Sequence, residues 1–263
     1  MPRYSHWIAA VTLGLVSACT IPLTKPIAYT PATVVVDGPE TTGKRGRLES
    51  GYGVGTEAVL RGGSVTVGSS SSIDQTHAIE RKTKHHINLA LGLMSQLDLK
   101  WRHNFSVFQA NLTPALYGLK YQIFGNTGAT RTRGIKWAMS AHYGQMHNQT
   151  RFSTGGNTGT IDLPITGYTL RSIQGYRWSD RLLGYVALSF ASWRGSALAT
   201  ADAVADYAVA LDSRQTGVSV GIEQNLNSAF IRLELGTVHS EIPASGTTAN
   251  TPLFGLQFGR SWF

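Results

Sequence analysis

Two runs near the middle of the chain, Ile87-Asn88-Leu89-Ala90-Leu91-Gly92-Leu93 and Leu97-Asp98-Leu99-Lys100-Trp101-Arg102, carry an apolar side chain at every second residue. A strand turns successive side chains to opposite faces, so this period of two makes a sheet with one apolar and one polar face; a helix would repeat every three to four residues. Segments of the same kind recur near 48–60, 86–95, 97–108, 116–125, 134–146, 165–178, 181–193, 216–226, 228–239 and 253–263. Their lengths approach the roughly 9 to 11 residues with which a tilted strand crosses a bilayer. Beyond the N-terminal stretch no apolar run reaches the roughly 18 residues of a spanning helix, so a membrane role requires a closed barrel. The pattern predicts an all-β fold, an antiparallel up-and-down transmembrane β-barrel of about ten strands, within a range of roughly 8 to 12.

Connections between these segments alternate in length. Breaks near Ser95-Gln96, Ser179-Asp180 and Asn227 are short, whereas 61–85, 147–164, 194–215 and 240–252 read as long polar loops. Short turns on one side of a membrane and long loops on the other are the habit of spanning barrels. Asn126 to Arg133 and Gln109 to Ala115 fit that alternation less well, being nearly equal in length.

With the apolar face outward, Leu89, Leu91, Leu93, Leu99, Met139, Val218, Val220, Leu235 and their equivalents meet lipid. The other face then sends Glu57, Asp98, Lys100, Arg102, Lys120, Lys136, His142, Arg171, Arg177, Glu223, Arg232 and Glu234 into the lumen. This register is favoured because Arg or Lys facing lipid near the midplane costs about 2 to 4 kcal/mol. Cations outnumber carboxylates in that set, and pairs such as Arg232 and Glu234 with Lys100 or Arg102 are expected to plug a narrow lumen. A water-filled lumen of this sign would favour anions. Aromatic residues near strand ends, Tyr52, Trp101, Tyr121, Trp137, Tyr143, Trp178, Tyr185, Trp193, Trp262 and Phe263, are expected to form interfacial girdles. A soluble barrel would reverse the two faces, and alternation alone does not separate the cases.

The two ends of the chain add a resemblance. Arg3, the apolar stretch Ile8 to Ala18 and the sequence Val16-Ser17-Ala18-Cys19 resemble a bacterial lipoprotein signal peptide with its lipobox. That resemblance implies removal of residues 1–18 and acylation of Cys19. Thr20 stands where an inner-membrane retention signal would place Asp. Two acyl chains anchor stably, at about 0.8 kcal/mol per buried methylene. Cys19 is the only cysteine, so no intramolecular disulfide forms. The prolines and basic residues of 19–47 read as a lipidated periplasmic tether. At the other end, Phe254, Leu256, Phe258, Trp262 and Phe263 resemble the C-terminal assembly signal of Gram-negative outer-membrane β-barrels, although Arg260 interrupts the pattern and most of its apolar residues lie out of register with Phe263. The implied layout is a signal peptide at 1–18, a tether at 19–47 and an outer-membrane barrel at 48–263. The implied partners are outer-membrane lipid, lipopolysaccharide and the machineries that assemble barrels and sort lipoproteins.

Few residues invite chemistry. Gly51-Tyr52-Gly53-Val54-Gly55 lacks the helix and third spacing of a phosphate loop; glycines in a strand instead let another side chain or the tether pass close by. His77, His85 and His86 with Asp74 and Glu80 have no paired metal-ligand spacing. His239-Ser240-Glu241 suggests a hydrolase, but adjacent strand residues point to opposite faces. Asp202, Asp206 and Asp212, with His142 or His239, are the candidates for a carboxylate-oriented imidazole that activates water. The formal net charge of +8 is scattered along the chain, which argues against nucleic acid and for lipopolysaccharide phosphates. No cofactor or metal is implied. The reading is a non-enzymatic, lipid-anchored surface scaffold or narrow pore. The rivals are a barrel enzyme acting on lipid or peptide, and a soluble tethered barrel with an apolar ligand inside.

Overall fold

A computed structural model describes residues 22–31, 36–105, 113–128, 130–202 and 204–262; the signal stretch, Cys19 and Phe263 lie outside them. The strands are β1 (Leu23–Tyr29), β2 (Leu48–Val67), β3 (Ser72–Met94), β4 (Leu97–Phe105), β5 (Leu116–Phe124), β6 (Gly134–Thr154), β7 (Asn157–Arg177), β8 (Leu182–Ala201), β9 (Val204–Ala210), β10 (Ser213–Leu226), β11 (Ala229–Ile242) and β12 (Thr247–Trp262). Ten of them close an antiparallel ring in chain order, from β2 through β8 to β10, β11 and β12, with β12 returning to β2. β9 extends β8, and β1 pairs with the far half of β2.

The ring has two unlike ends. Ser95-Gln96, residues 125–133, residues 178–181 and Asn227-Ser228 connect strands at one, called here the short-turn end, where β2 begins and β12 finishes. Asn227 adopts φ 57°, the left-handed conformation that asparagine tolerates in a two-residue hairpin. At the opposite, hairpin end, the expected long loops are absent. β2 and β3 pair out to Thr66↔Ser72, and β6 and β7 out to Thr154↔Asn157. Gly155 and Gly156 close the latter pair with φ of 59° and 87°, as a tight hairpin with both central residues left-handed requires. Strands of 20 to 23 residues would run about 70 Å at roughly 3.3 Å per residue, twice what a bilayer needs.

Face chemistry inverts along these strands. On β7 the inward residues are odd-numbered throughout: Ile161, Leu163 and Ile165 at the hairpin end, then Thr169 and Arg171 nearer the short turns. In the half of the ring next to the short turns, the lower ring, apolar side chains point out, with Met139 47%, Leu188 60% and Val220 57% exposed, while Lys120, Lys136, Arg177 and Glu234 are at most 1% exposed. This arrangement is the reverse of a soluble barrel. In the hairpin half the apolar residues point in: Ile27, Tyr29, Leu60, Val67, Phe152, Leu163 and Trp193 share one core between the β1-β2-β3 and β6-β7-β8-β9 hairpins. The upper ring is therefore filled by a two-layer lobe.

Two expectations are corrected here. The stretch expected to be a free tether is built into the barrel over its described residues. β12 carries Pro252, which has no N–H to offer a neighbour, and its ladder to β2 stops at Gly55↔Gly255. Thr56 patches the gap, accepting from Phe254 N and donating to Pro252 O at 2.9 Å each. Beyond it β2 takes β1 as its partner, from Tyr29↔Leu60 to Leu23↔Val67. Tyr29 is fully buried, donates to the Leu211 carbonyl at 2.7 Å, and is pushed by burial above the ordinary tyrosine pKa. Second, Tyr185 and Trp193 are not girdle residues: both face inward, Tyr185 to the lumen and Trp193 to the lobe core.

Candidate functional site: an ion-paired plug in the lumen

All the lumenal charges expected from the sequence, from Glu57 to Glu234, are buried inside the ring. Their partners differ from the expected ones because a segment between β1 and β2 runs down the lumen among them. Residues 36–39, 41 and 42 of that segment are buried, and Glu40 is partly so. The segment holds two carboxylates. Asp37 Oδ1 accepts from Lys100 Nζ at 3.1 Å and Lys120 Nζ at 3.0 Å. Glu40 takes Arg177 in a two-pronged pair, Nε to Oε1 at 2.7 Å and Nη2 to Oε2 at 2.6 Å, with Lys136 Nζ 3.4 Å away.

The wall continues the network. Arg177 Nη2 donates to Glu223 at 3.1 Å, Glu223 accepts from Arg232 Nε at 2.6 Å, and Arg232 Nη1 reaches Glu49 at 2.8 Å. Glu223 and Arg232 are opposite each other in the β10–β11 ladder, so the register itself brings this pair together. Glu234 accepts from Arg171 at 2.5 Å, Ser219 at 2.6 Å, Tyr185 at 3.2 Å and the backbone N–H of Val36 at 2.8 Å. Glu57 accepts from Asn104 and lies 3.9 Å from Arg102.

Polar threonines fix the plug's register. Thr41 N–H donates to Gln122 Oε1 at 2.9 Å and its hydroxyl to the Ser95 carbonyl at 2.8 Å. Thr42 donates its hydroxyl to Asp98 at 2.7 Å and its N–H at 2.9 Å. Below it, Gly46 N–H bonds the Gly92 carbonyl at 2.8 Å, which joins the plug to β3 just before β2 begins. The glycines of β2 make room as expected: a Cβ at Gly51 would overlap the Gln257 amide, and one at Gly53 the His86 imidazole. Among the described residues, the gaps left beside Asp37 and beside Glu40 are only about 10 and 20 Å³, space for one or two waters.

Asp37 and Glu40 were not legible as site residues from local pattern. The signal for them was the surplus of lumenal cations, which needed acids from elsewhere in the chain.

The catalytic candidates are not brought together. His239 is exposed and bonds Asn250 at 2.9 Å, while Ser240 is fully buried on the other face beside Gln215. Asp202 caps Thr158 and Asp212 accepts from Gly195 N, both remote from buried His142. His85 stacks outward between Tyr52 and Phe105, whereas His86 points inward. Sequence reading missed the His147–Asp162 contact, 2.5 Å across β6 and β7; it lies on the exposed outer face, away from the internal gaps. Phe254, Phe258 and Trp262 of the assembly segment are exposed on the apolar belt with Leu256 partly so. Cys19 and Phe263 lie outside the described residues.

No family model and no curated protein matches the sequence. Among solved structures, the chain is similar to the outer membrane protease OmpT of Escherichia coli, at 7% identity and TM-score 0.41, over 86% of this chain and 98% of that one. It is also similar to Ail, the attachment invasion locus protein of Yersinia pestis, solved with the heparin analogue sucrose octasulfate, at 8% identity and TM-score 0.35, over 83% and 99%. A third is the outer membrane channel DcaP of Acinetobacter baumannii, at 8% identity and TM-score 0.21, over 86% and 99%.

Proposed function

We propose that this chain is a closed outer-membrane β-barrel, lipid-anchored through Cys19, that serves as a non-enzymatic scaffold presenting its hairpin lobe at the cell surface. The observation that carries the reading is the lower ring: apolar side chains face out all around it while charged ones are buried inside, most of them in ion pairs. Lipid satisfies the first, and the carboxylates of the plug and of the wall together satisfy the second. Such barrels stay short on the periplasmic side and extend on the exterior, so the end where the strands run on past the belt into the lobe is read as the outer one.

The plug and the lobe close the barrel in series, one with ion pairs and one with apolar packing, so the reading favours scaffold over pore. The chain enters the described structure at Pro22, which lies against Gly68 at the hairpin tip. An acyl anchor on Cys19 would accordingly be presented from the outer end, not from a periplasmic tether.

Purified full-length protein in planar bilayers tests the closure. The expected result is insertion without steady ion conductance; a stable, salt-dependent current would assign it to the pores. Comparing membrane lipid profiles and cleavage of a surface peptide library with and without the protein tests the non-enzymatic part, and no change is expected in either.

A further inference from the structure

The chain's positive charge is not spread evenly over the fold. Inside the lumen, cations and carboxylates nearly cancel through the pairs described above. At the hairpin end Lys25, Arg61, Arg81, Lys82, Arg151, Arg194 and Arg214 are interleaved with Asp74, Glu80, Asp162, Asp202, Asp206, Asp212 and Glu241. The short-turn end instead carries Lys44, Arg45, Arg47, Arg131, Arg133, Arg181 and Arg260, with Asp180 as the only exposed acid among its described residues. Most of the net charge of +8 therefore sits in one collar.

The collar is attached to the edge of the apolar belt. Arg260 lies over the Trp262 ring, 4.4 Å from its centroid, and Arg133 Nε donates to the Tyr176 hydroxyl at 3.1 Å. Tyr176 meets Trp178 edge-on at 6.0 Å, and Trp178, 51% exposed, leads into the turn that holds Arg181. Lys44, Arg45, Arg133, Arg181 and Arg260 are exposed and form no ion pair with a described acid. Cationic heads beside amphipathic rings, at the end of a lipid-facing surface, stand at headgroup depth.

We infer that this collar binds anionic phospholipid headgroups in the leaflet at the short-turn end. The inference rests on the outer-membrane reading and adds a partner to it. It also moves the basic surface away from lipopolysaccharide, to the periplasmic leaflet. An anionic cell-wall polymer shares the charge but would not explain why the arginines lean on belt aromatics.

The test uses full-length protein in phosphatidylethanolamine vesicles doped, at matched mole fraction, with brominated phosphatidylglycerol or brominated phosphatidylethanolamine. Quenching of the collar tryptophans Trp178 and Trp262 reports which lipid is adjacent. Phosphatidylglycerol is expected to associate more strongly, by up to about fivefold per engaged arginine. The preference should vanish in an Arg133→Gln, Arg181→Gln, Arg260→Gln variant. In the parent protein it should also vanish at about 1 M salt, where the screening length falls to about 3 Å.

Equal quenching by the two lipids in inserted parent protein overturns the collar proposal alone. Failure to float with vesicles overturns the barrel reading and the collar with it. Binding to purified cell-wall sacculi that the variant loses, without any lipid preference, assigns the collar to the polymer and also overturns it.

Discussion

The lower ring and the hairpin lobe are built from the same strands, yet they solve opposite problems. On β8, Val186 and Leu188 point outward while Tyr185 and Ala187 point inward; farther along, Trp193, Ala197 and Ala199 point inward while Arg194 and Ser196 point outward. The backbone keeps one phase, and only the chemistry of the faces changes. Alternation thus reports two faces, whereas the medium on each face is reported by where apolar residues switch position along the strand. In the ring the unfavourable groups are ions, which must be paired inside. In the lobe water lies outside and the core is hydrophobic.

The largest effects are expected at the centres of the two halves. Trp193→Ala should cost the lobe about 3 to 5 kcal/mol as a large core side chain is lost, with protease cleavage appearing in the β6–β7 hairpin while the ring stays intact. Uniform loss of both halves would show that they are a single cooperative unit. Glu40→Ala removes the two-pronged partner of Arg177, which keeps only its 3.1 Å bond to Glu223 among the carboxylates, and leaves Lys136 with the Asn126 carbonyl; breaking a buried pair of this kind costs up to about 3 to 5 kcal/mol. Denaturant unfolding in vesicles should show that loss, yet bilayer recordings should remain silent because the lobe still closes the top. Sustained current in Glu40→Ala would mean that the plug alone seals the barrel.

A smaller effect sharpens the boundary between halves. Leu188→Arg, on the belt, should destabilise by about 2 to 4 kcal/mol, whereas Leu198→Arg, outward on the same strand but in the lobe, should stay within about 0.5 kcal/mol. Equal penalties would remove the distinction. The smallest change is expected for Arg61→Ala, which deletes the partly exposed 3.1 Å pair with Glu80 and should cost less than about 1 kcal/mol in the same unfolding measurement.

Much of the ring was legible in the sequence because short turns announce the ends of β3 and β4 at Ser95-Gln96, of β7 and β8 at Ser179-Asp180, and of β10 and β11 at Asn227-Ser228. The lumenal face followed from the same alternation. The lobe was misread because its outward residues, Gln145, His147, Gln149 and Arg151 on β6, look like a loop when apolar residues are sought outside. Ile161, Leu163 and Ile165 already alternated in the opposite phase, and Gly155-Gly156 marked the hairpin. The plug was hidden for a different reason. Residues 36–42 have no repeating pattern, and their fit depends on cations more than sixty positions away, such as Lys100. Only the unmatched positive charge of the lumen pointed to Asp37 and Glu40.

The most direct test places a nitroxide label on β8 at Leu188→Cys and, separately, at Leu198→Cys, each in a Cys19→Ser background in vesicles. Collisions with oxygen and with an aqueous nickel chelate distinguish lipid from water around the label. Oxygen-dominated collisions are expected at position 188 and nickel-dominated collisions at position 198; nickel-dominated collisions at both would show that water, not lipid, surrounds the lower ring.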